Sequence, residues 1–286
     1  MRLVKQLVAV AAVAFVGGQA AAAVKGNDLL TFVLGMATAV LTPIVYAWVV
    51  RRTEHRAPVE VARTGAPAAL GRGMLIGLAM FGAVIANIAF LGDYRIDGFG
   101  SVPGAVGLFG FMAAAAVTEE LLFRGVLFRI IEGRIGTWAA LVLTAALFGL
   151  SHLTNADATL WGAIAIAVEA GSMLAAAYAA TRNLWVPIGL HFAWNFAESG
   201  IFGTEVSGNG SNKGLLDSTM SGSSLITGGK FGPEASLYTV AAGLALTVAF
   251  MWLARRRGNV IPARRRAAGA SQSPAARPAA TATLSR

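Results

Sequence analysis

The chain has 286 residues, of which 56% are apolar and only 13% charged, with a net charge of +9 and no cysteine. A soluble domain carries about a quarter charged residues, so this composition argues for lipid as the solvent. The missing thiols exclude disulfides, thiolate nucleophiles and cysteine-ligated zinc.

Eight apolar segments follow one another, over 6–24, 29–50, 73–92, 105–128, 138–154, 159–181, 185–203 and 236–254. Most are about 18–22 residues, enough to cross about 30 Å of hydrocarbon as helix. They are rich in Ala, Leu and Gly and lack the alternation of barrel strands, so the expected fold is all-α, a polytopic transmembrane bundle of about eight helices. Residues 1–28 read as a transmembrane helix or a signal-like segment, because Arg2 and Lys5 precede an apolar run that ends in alanines. The bundle then runs over 29–257. Residues 204–235, rich in Gly and Ser, read as a long outer loop, a lid or a disordered connection. The Arg-, Ala- and Pro-rich 258–286 reads as a disordered basic tail that touches lipid headgroups.

Basic residues set the expected orientation. With the N-terminus inside, eight crossings put Arg51–Arg72, Arg129–Arg134, Arg182 and the tail from Arg255 on one side, together with Arg2 and Lys5. That side holds 18 of the 23 Lys and Arg residues, and the other keeps Lys25, Arg95, Lys213 and Lys230. The positive-inside rule then places both termini in the cytoplasm, in a multi-pass protein of the plasma membrane. The same sorting accounts for the basic balance without nucleic acid.

Three of the segments carry groups that lipid penalises. The fourth reads Thr118-Glu119-Glu120-Leu121-Leu122-Phe123-Arg124, and each charge near a helix centre costs roughly 2.5–3.5 kcal/mol unless partnered. Glu120 and Arg124, four apart, share a face and can pair, while Glu119 lies about 100° around the helix and points elsewhere. The fifth segment ends Phe148-Gly149-Leu150-Ser151-His152, and the seventh reads His191-Phe192-Ala193-Trp194-Asn195, with His191 and Asn195 on one face. Glu169 and Glu198 are read as structural groups or as orienting partners for an imidazole. Asn87 reads as an interhelical hydrogen bond, and His55 as a solvated loop residue.

A carboxylate, two imidazoles and an amide suit hydrolysis, with a glutamate as general base on water, one imidazole sharing the proton, and the second imidazole and the amide as donors to an oxyanion. No His-Glu-x-x-His is present, and Ser151 lacks a nucleophile-elbow context. Glu119, His152 and His191 would also be the ligand set of a catalytic zinc. By apparent depth, Glu119 and His191 fall nearer the inner side and His152 about 20 Å further out, a mismatch that a single site does not tolerate.

Glu-Glu-x-x-x-Arg at 119–124, Phe-x-x-x-His at 148–152 and His-x-x-x-Asn at 191–195 resemble the three motifs of the CPBP family of CAAX-prenyl-protease and bacteriocin-processing-like membrane proteins. The resemblance covers about 100–200, and Gly228-Gly229-Lys230-Phe231-Gly232-Pro233-Glu234 resembles a late loop of some bacterial members. It implies a bundle of about eight helices around an internal site, with Glu119 and His152 activating water, His191 and Asn195 forming the oxyanion hole, Glu120 and Arg124 supporting them, and no metal cofactor. The expected substrate is a membrane-associated peptide or protein. The competing readings are a non-catalytic membrane regulator or binding protein on the same scaffold and a proton-coupled transporter using Glu119, Glu120 and Glu169; the transporter lacks the internal repeat that it calls for.

Overall fold

The computed structural model describes residues 1–210 and 214–263. Lys213 and the tail residues 264–286 lie outside these. The helices come in the expected order: α1 (Arg2–Ala23), α2 (Asp28–Glu54), α3 (Ala66–Phe90), α4 (Val102–Ile135), α5 (Thr137–Thr154), α6 (Leu160–Thr181), α7 (185–201) and α8 (Leu237–Arg256). Among the described residues, seven are long and apolar enough to cross a membrane, so the protein is an all-α multi-pass membrane bundle. The exception is α7, an 11-residue α-helix continued by a 6-residue π-helical stretch. It is sunk into the protein: Val186 through Asn195 are all buried.

Without a hydrophobic force between helices in lipid, close backbone approach holds the bundle. Glycines permit it along two lines. A Cβ on Gly77 of α3 would lie 2.3 Å from the Leu190 carbonyl of α7, and one on Gly189 would lie 2.2 Å from the Leu70 carbonyl. A Cβ on Gly35 of α2 would likewise meet the Gly110 carbonyl of α4 at 2.2 Å. The first contact brings α7 against α3 next to His191, and the second holds α4 beside α2.

Three helices change to π-helical winding, at Leu121–Phe128 in α4, Ala167–Gly171 in α6 and Phe196–Ile201 in α7. Wider winding frees carbonyls from the regular ladder, and each must find another donor. The Gly125 carbonyl receives Arg129 Nε at 2.8 Å and lies 3.0 Å from the Tyr46 hydroxyl. The Ala170 and Gly171 carbonyls each receive Arg124 Nη2 at 3.0 Å.

The end of the bundle that carries the basic loops is tied by ion pairs to buried carboxylates. Glu54 of α2 accepts from Arg129 of α4 at 2.9 Å and from Arg56 at 2.7 Å. Gln6 of α1, fully buried, donates to Thr53 and Glu54 and accepts from Arg129. Glu60 in the α2–α3 loop accepts from Arg56 and contacts Tyr46 at 2.5 Å. Burial pushes its carboxyl up, but these donors prevail and hold it below the usual carboxylate range. Glu132 of α4 binds Arg182 at 2.5 Å and Thr137 at 2.5 Å.

The connection 204–235 is more ordered than its composition suggests. Leu216–Met220 (β2) pairs antiparallel with Tyr94–Phe99 (β1), with a bulge between Ile96 and Gly98. The pair was not foreseen, because each strand is short and β1 carries Arg95 and Asp97. Residues 228–234 fold as successive tight turns, with Gly228, Gly229 and Gly232 at φ 81, 61 and 105°. Residues 258–263, expected to begin a disordered tail, are instead docked. The Ile261 carbonyl accepts from Thr137 N at 2.9 Å, and Ile261 N donates to the Thr137 hydroxyl at 2.8 Å.

Candidate active site

The longer α4 removes the expected mismatch in depth. The apolar window stopped near Phe128, but the helix continues to Ile135, reverses at Gly136 (φ 83°) and starts again at Thr137. Glu119 and His152 then lie on antiparallel helices at nearly equal distance from this turn, about 25 Å at 1.5 Å per residue. Glu119, His152, His191 and Asn195 all line one cavity of about 820 Å³, which also reaches Glu169, Trp194, Ser207 and Glu234. Its far end meets Lys25 and Gly26 of the α1–α2 turn, Gly104 of α4, and Asn209 and Gly210.

Glu120 and Arg124 make the frame beneath. Both are buried, and Arg124 Nη1 donates to Glu120 Oε1 at 2.8 Å. The guanidinium also stacks 4.5 Å from the Phe148 ring. The same Glu120 oxygen lies 2.9 Å from His191 Nδ1. A carboxylate can only accept, so Nδ1 carries the hydrogen and Nε2 faces Glu119, whose Oε2 is 4.0 Å away. The partner that orients His191 is therefore Glu120, not Glu169 or Glu198, which make no hydrogen bond with either imidazole.

His152 is oriented by its own helix. As α5 ends, Nδ1 lies 2.8 Å from the Phe148 carbonyl, which can only accept, so Nδ1–H donates and Nε2 keeps its lone pair. The neighbouring Ser151 hydroxyl donates to the same carbonyl at 2.7 Å, which withdraws it from a nucleophile's role. Phe148 thus contacts His152, His191 and Arg124 at once, with ring centroids 4.8 and 6.2 Å from the two imidazoles.

The carboxyl of Glu119 is one-third exposed, whereas that of Glu120 is fully buried. Glu119 Oε2 has no hydrogen-bond partner within the protein, so this carboxylate is available to a reactant. Two carboxylates, Glu119 and Glu120, face one guanidinium and two imidazoles. Among the described residues, no three His, Asp or Glu side chains are gathered closely enough to hold a metal ion, Glu119, His152 and His191 included.

Glu234 is a cavity residue that reading the chain did not single out. It is buried, accepts the Ser207 hydroxyl at 2.6 Å, and roofs the cavity together with Asn155, whose amide donates to the Ser207 carbonyl at 2.6 Å. Burial pushes its carboxyl above the usual range, opposed by the Ser207 hydroxyl and the two imidazoles. The signal available was an acid closing a glycine-rich run, which composition reads as solvent-exposed loop. Asn87, expected between helices, instead donates within α3 to the Ala83 carbonyl at 2.7 Å, and His55 is an exposed residue that caps α2 at φ 54°.

Residues 101–197 match the family described as Type II CAAX prenyl endopeptidase Rce1-like. No curated protein and no solved structure matches the chain. The matched segment is about a third of the sequence, holds Glu119, His152, His191 and Asn195, and includes every position of the three motifs. That segment, set within a multi-pass membrane bundle, is similar to the Rce1-like endopeptidases and supports the resemblance to the CPBP family of intramembrane proteases.

Proposed function

We propose that the protein cleaves peptide bonds of a membrane-associated protein or peptide through a water activated by Glu119 and His152, without a metal. The observation that carries this reading is the convergence of Glu119, His152, His191 and Asn195 on one cavity, with both imidazole orientations set by acceptors that cannot donate. Glu119 takes a proton from water as the oxygen attacks the scissile carbonyl carbon. His152 Nε2 accepts or passes on that proton. The new oxyanion receives the Asn195 amide and His191 Nε2–H. Because Nδ1–H already points at Glu120, His191 donates from Nε2 as the imidazolium. Its charge and that of Arg124 then balance those of Glu119 and Glu120. Collapse breaks the C–N bond, and the leaving amine takes the proton held by Glu119 and His152. A positioned acid–base group contributes about 10²–10⁴-fold, and one oxyanion donor about 10²–10³-fold.

The basic loops lie at the end of the bundle opposite the cavity mouth. With those loops inside, as the charge bias favours, both termini are cytoplasmic in the plasma membrane and the cavity opens outward. The substrate is then taken from the outer side or the outer leaflet.

The test uses purified protein in liposomes with lipid-anchored, internally quenched peptides, including a prenylated CAAX peptide. Wild type should cleave a member of the panel in the presence of a chelator. Glu119→Gln and His152→Ala should lose at least about 10²-fold in rate while eluting as folded protein. Full activity in both variants would remove the hydrolytic assignment, and loss of activity on chelation would restore the zinc alternative.

A further inference from the structure

The cavity holds more acidic side chains than hydrolysis requires. Besides Glu119, its lining includes Glu169 of α6 and Glu234 of the connection before α8. These two are 1% and 2% exposed. Glu169 Oε1 has no hydrogen-bond partner in the protein, and the Ser207 hydroxyl on Glu234 is a neutral donor. Just behind them Glu198 is fully buried, with both oxygens unpartnered.

Among the described residues no Lys or Arg side chain pairs with Glu169 or Glu234, although the two imidazoles act on Glu234 across the cavity. Arg124 is the nearest guanidinium, but it is bound to Glu120 and to the Ala170 and Gly171 carbonyls, and it is not part of the lining. Lys25 lines the cavity only at its mouth and is exposed. A metal ion does not fit the set, since among the described residues no three acidic or histidine side chains are close enough to share one. Buried carboxylates without a counter-charge are costly and are answered by a cation or by protonation. A ligand that enters the cavity with its own ammonium or guanidinium group would answer them.

We infer that Glu169 and Glu234 form a cation-accepting subsite that takes a lysine or arginine side chain, or a free amine, of the bound peptide. The inference rests on the peptide-hydrolase reading for the nature of the ligand. Glu169 lies in the π-helical turn of α6, whose wider winding presents its carboxylate to the cavity. Glu234 reaches it from the turns of 228–234, and the subsite is joined from two separate parts of the chain. Selectivity then arises at the roof of the cavity, while the chemistry belongs to Glu119 and the two histidines.

The test reads binding, so that it does not depend on turnover. Full-length protein carrying Glu119→Gln, in phosphatidylcholine nanodiscs, is titrated with acyl-anchored fluorescent peptides that differ at one position at a time, lysine against norleucine or glutamine. At one position lysine should bind about tenfold more tightly. That preference should fall below about twofold in Glu169→Gln and in Glu234→Gln. The comparison of peptides on unsubstituted Glu169 and Glu234 needs neither variant to fold. Absence of a lysine preference at every position, as expected if both carboxyls are protonated hydrogen-bonding groups, overturns the inference. So does a preference that survives both carboxamide variants. Selective lysine binding by wild type that cuts no peptide would uphold the subsite and defeat the hydrolase. Cleavage indifferent to lysine would do the reverse.

Discussion

Replacing Arg124 with methionine tests the frame under the site most sharply. The methionine keeps most of the side-chain volume and removes the charge. Left behind are the Glu120 carboxylate, the carbonyls of Ala170 and Gly171, and a Phe148 ring without its cation. Stranding one partner of a buried ion pair costs about 3–5 kcal/mol. Each stranded carbonyl adds about 1–3 kcal/mol, and the lost cation–π contact about 1–2 kcal/mol. These groups share one network, so the terms do not add. A net loss of about 5 kcal/mol is expected, or between three and four decades in the folded-to-unfolded ratio. Denaturation of the detergent-solubilised protein, followed by tryptophan fluorescence, measures it. Glu120→Gln added to Arg124→Met should recover about 2–3 kcal/mol, because the unpaired charge then disappears while the amide oxygen still accepts His191 Nδ1–H. A loss below about 1 kcal/mol, or a double variant no more stable than the single one, would refute the reasoning.

Glu60, held below the usual carboxylate range, contributes stability that is present above its unfolded pKa and lost as pH falls through its lower folded value. Thermal melts from pH 7 downward should therefore show an acid-dependent loss that is smaller in Glu60→Gln. At Gly77 a Cβ would strike the Leu190 carbonyl, whereas at Gly71 of the same helix it meets nothing within 4 Å. Gly77→Ala should cost about 1–3 kcal/mol and lower cleavage by displacing His191, while Gly71→Ala should do neither. The chain has no cysteine, so introduced thiols report topology cleanly. A membrane-impermeant maleimide added to intact cells should label Asn209→Cys at the cavity mouth and spare Arg63→Cys in the α2–α3 loop. The reverse pattern would invert the orientation.

The residues of the candidate site were legible because charge inside an apolar run is conspicuous. Glu119, Glu120 and Arg124, then His152, then His191 with Asn195 stand out where lipid penalises them. Spacing of four also foretold the Glu120–Arg124 pair. The true end of α4 was hidden, because Arg129 and Glu132 look like the edge of a span until Glu54 and Arg182 are seen to neutralise them. Placing that edge too early produced the apparent 20 Å mismatch between Glu119 and His152. The bond from His191 to Glu120 joins residues 71 apart, and no periodicity reports such a contact. Glu234 was hidden for another reason: glycines that look like solvent-exposed loop instead turn the chain back into the bundle.

The claim on which the account turns is that Glu119 directs water to a peptide bond within the cavity. Mass spectrometry of new N-termini in membrane and secreted fractions tests it most directly, comparing cells that carry wild type, Glu119→Gln or His152→Ala at equal folded levels. The account predicts a set of cleavage sites in or beside membrane segments that is present with wild type and absent with both variants. Identical N-termini in all three cell lines would contradict it.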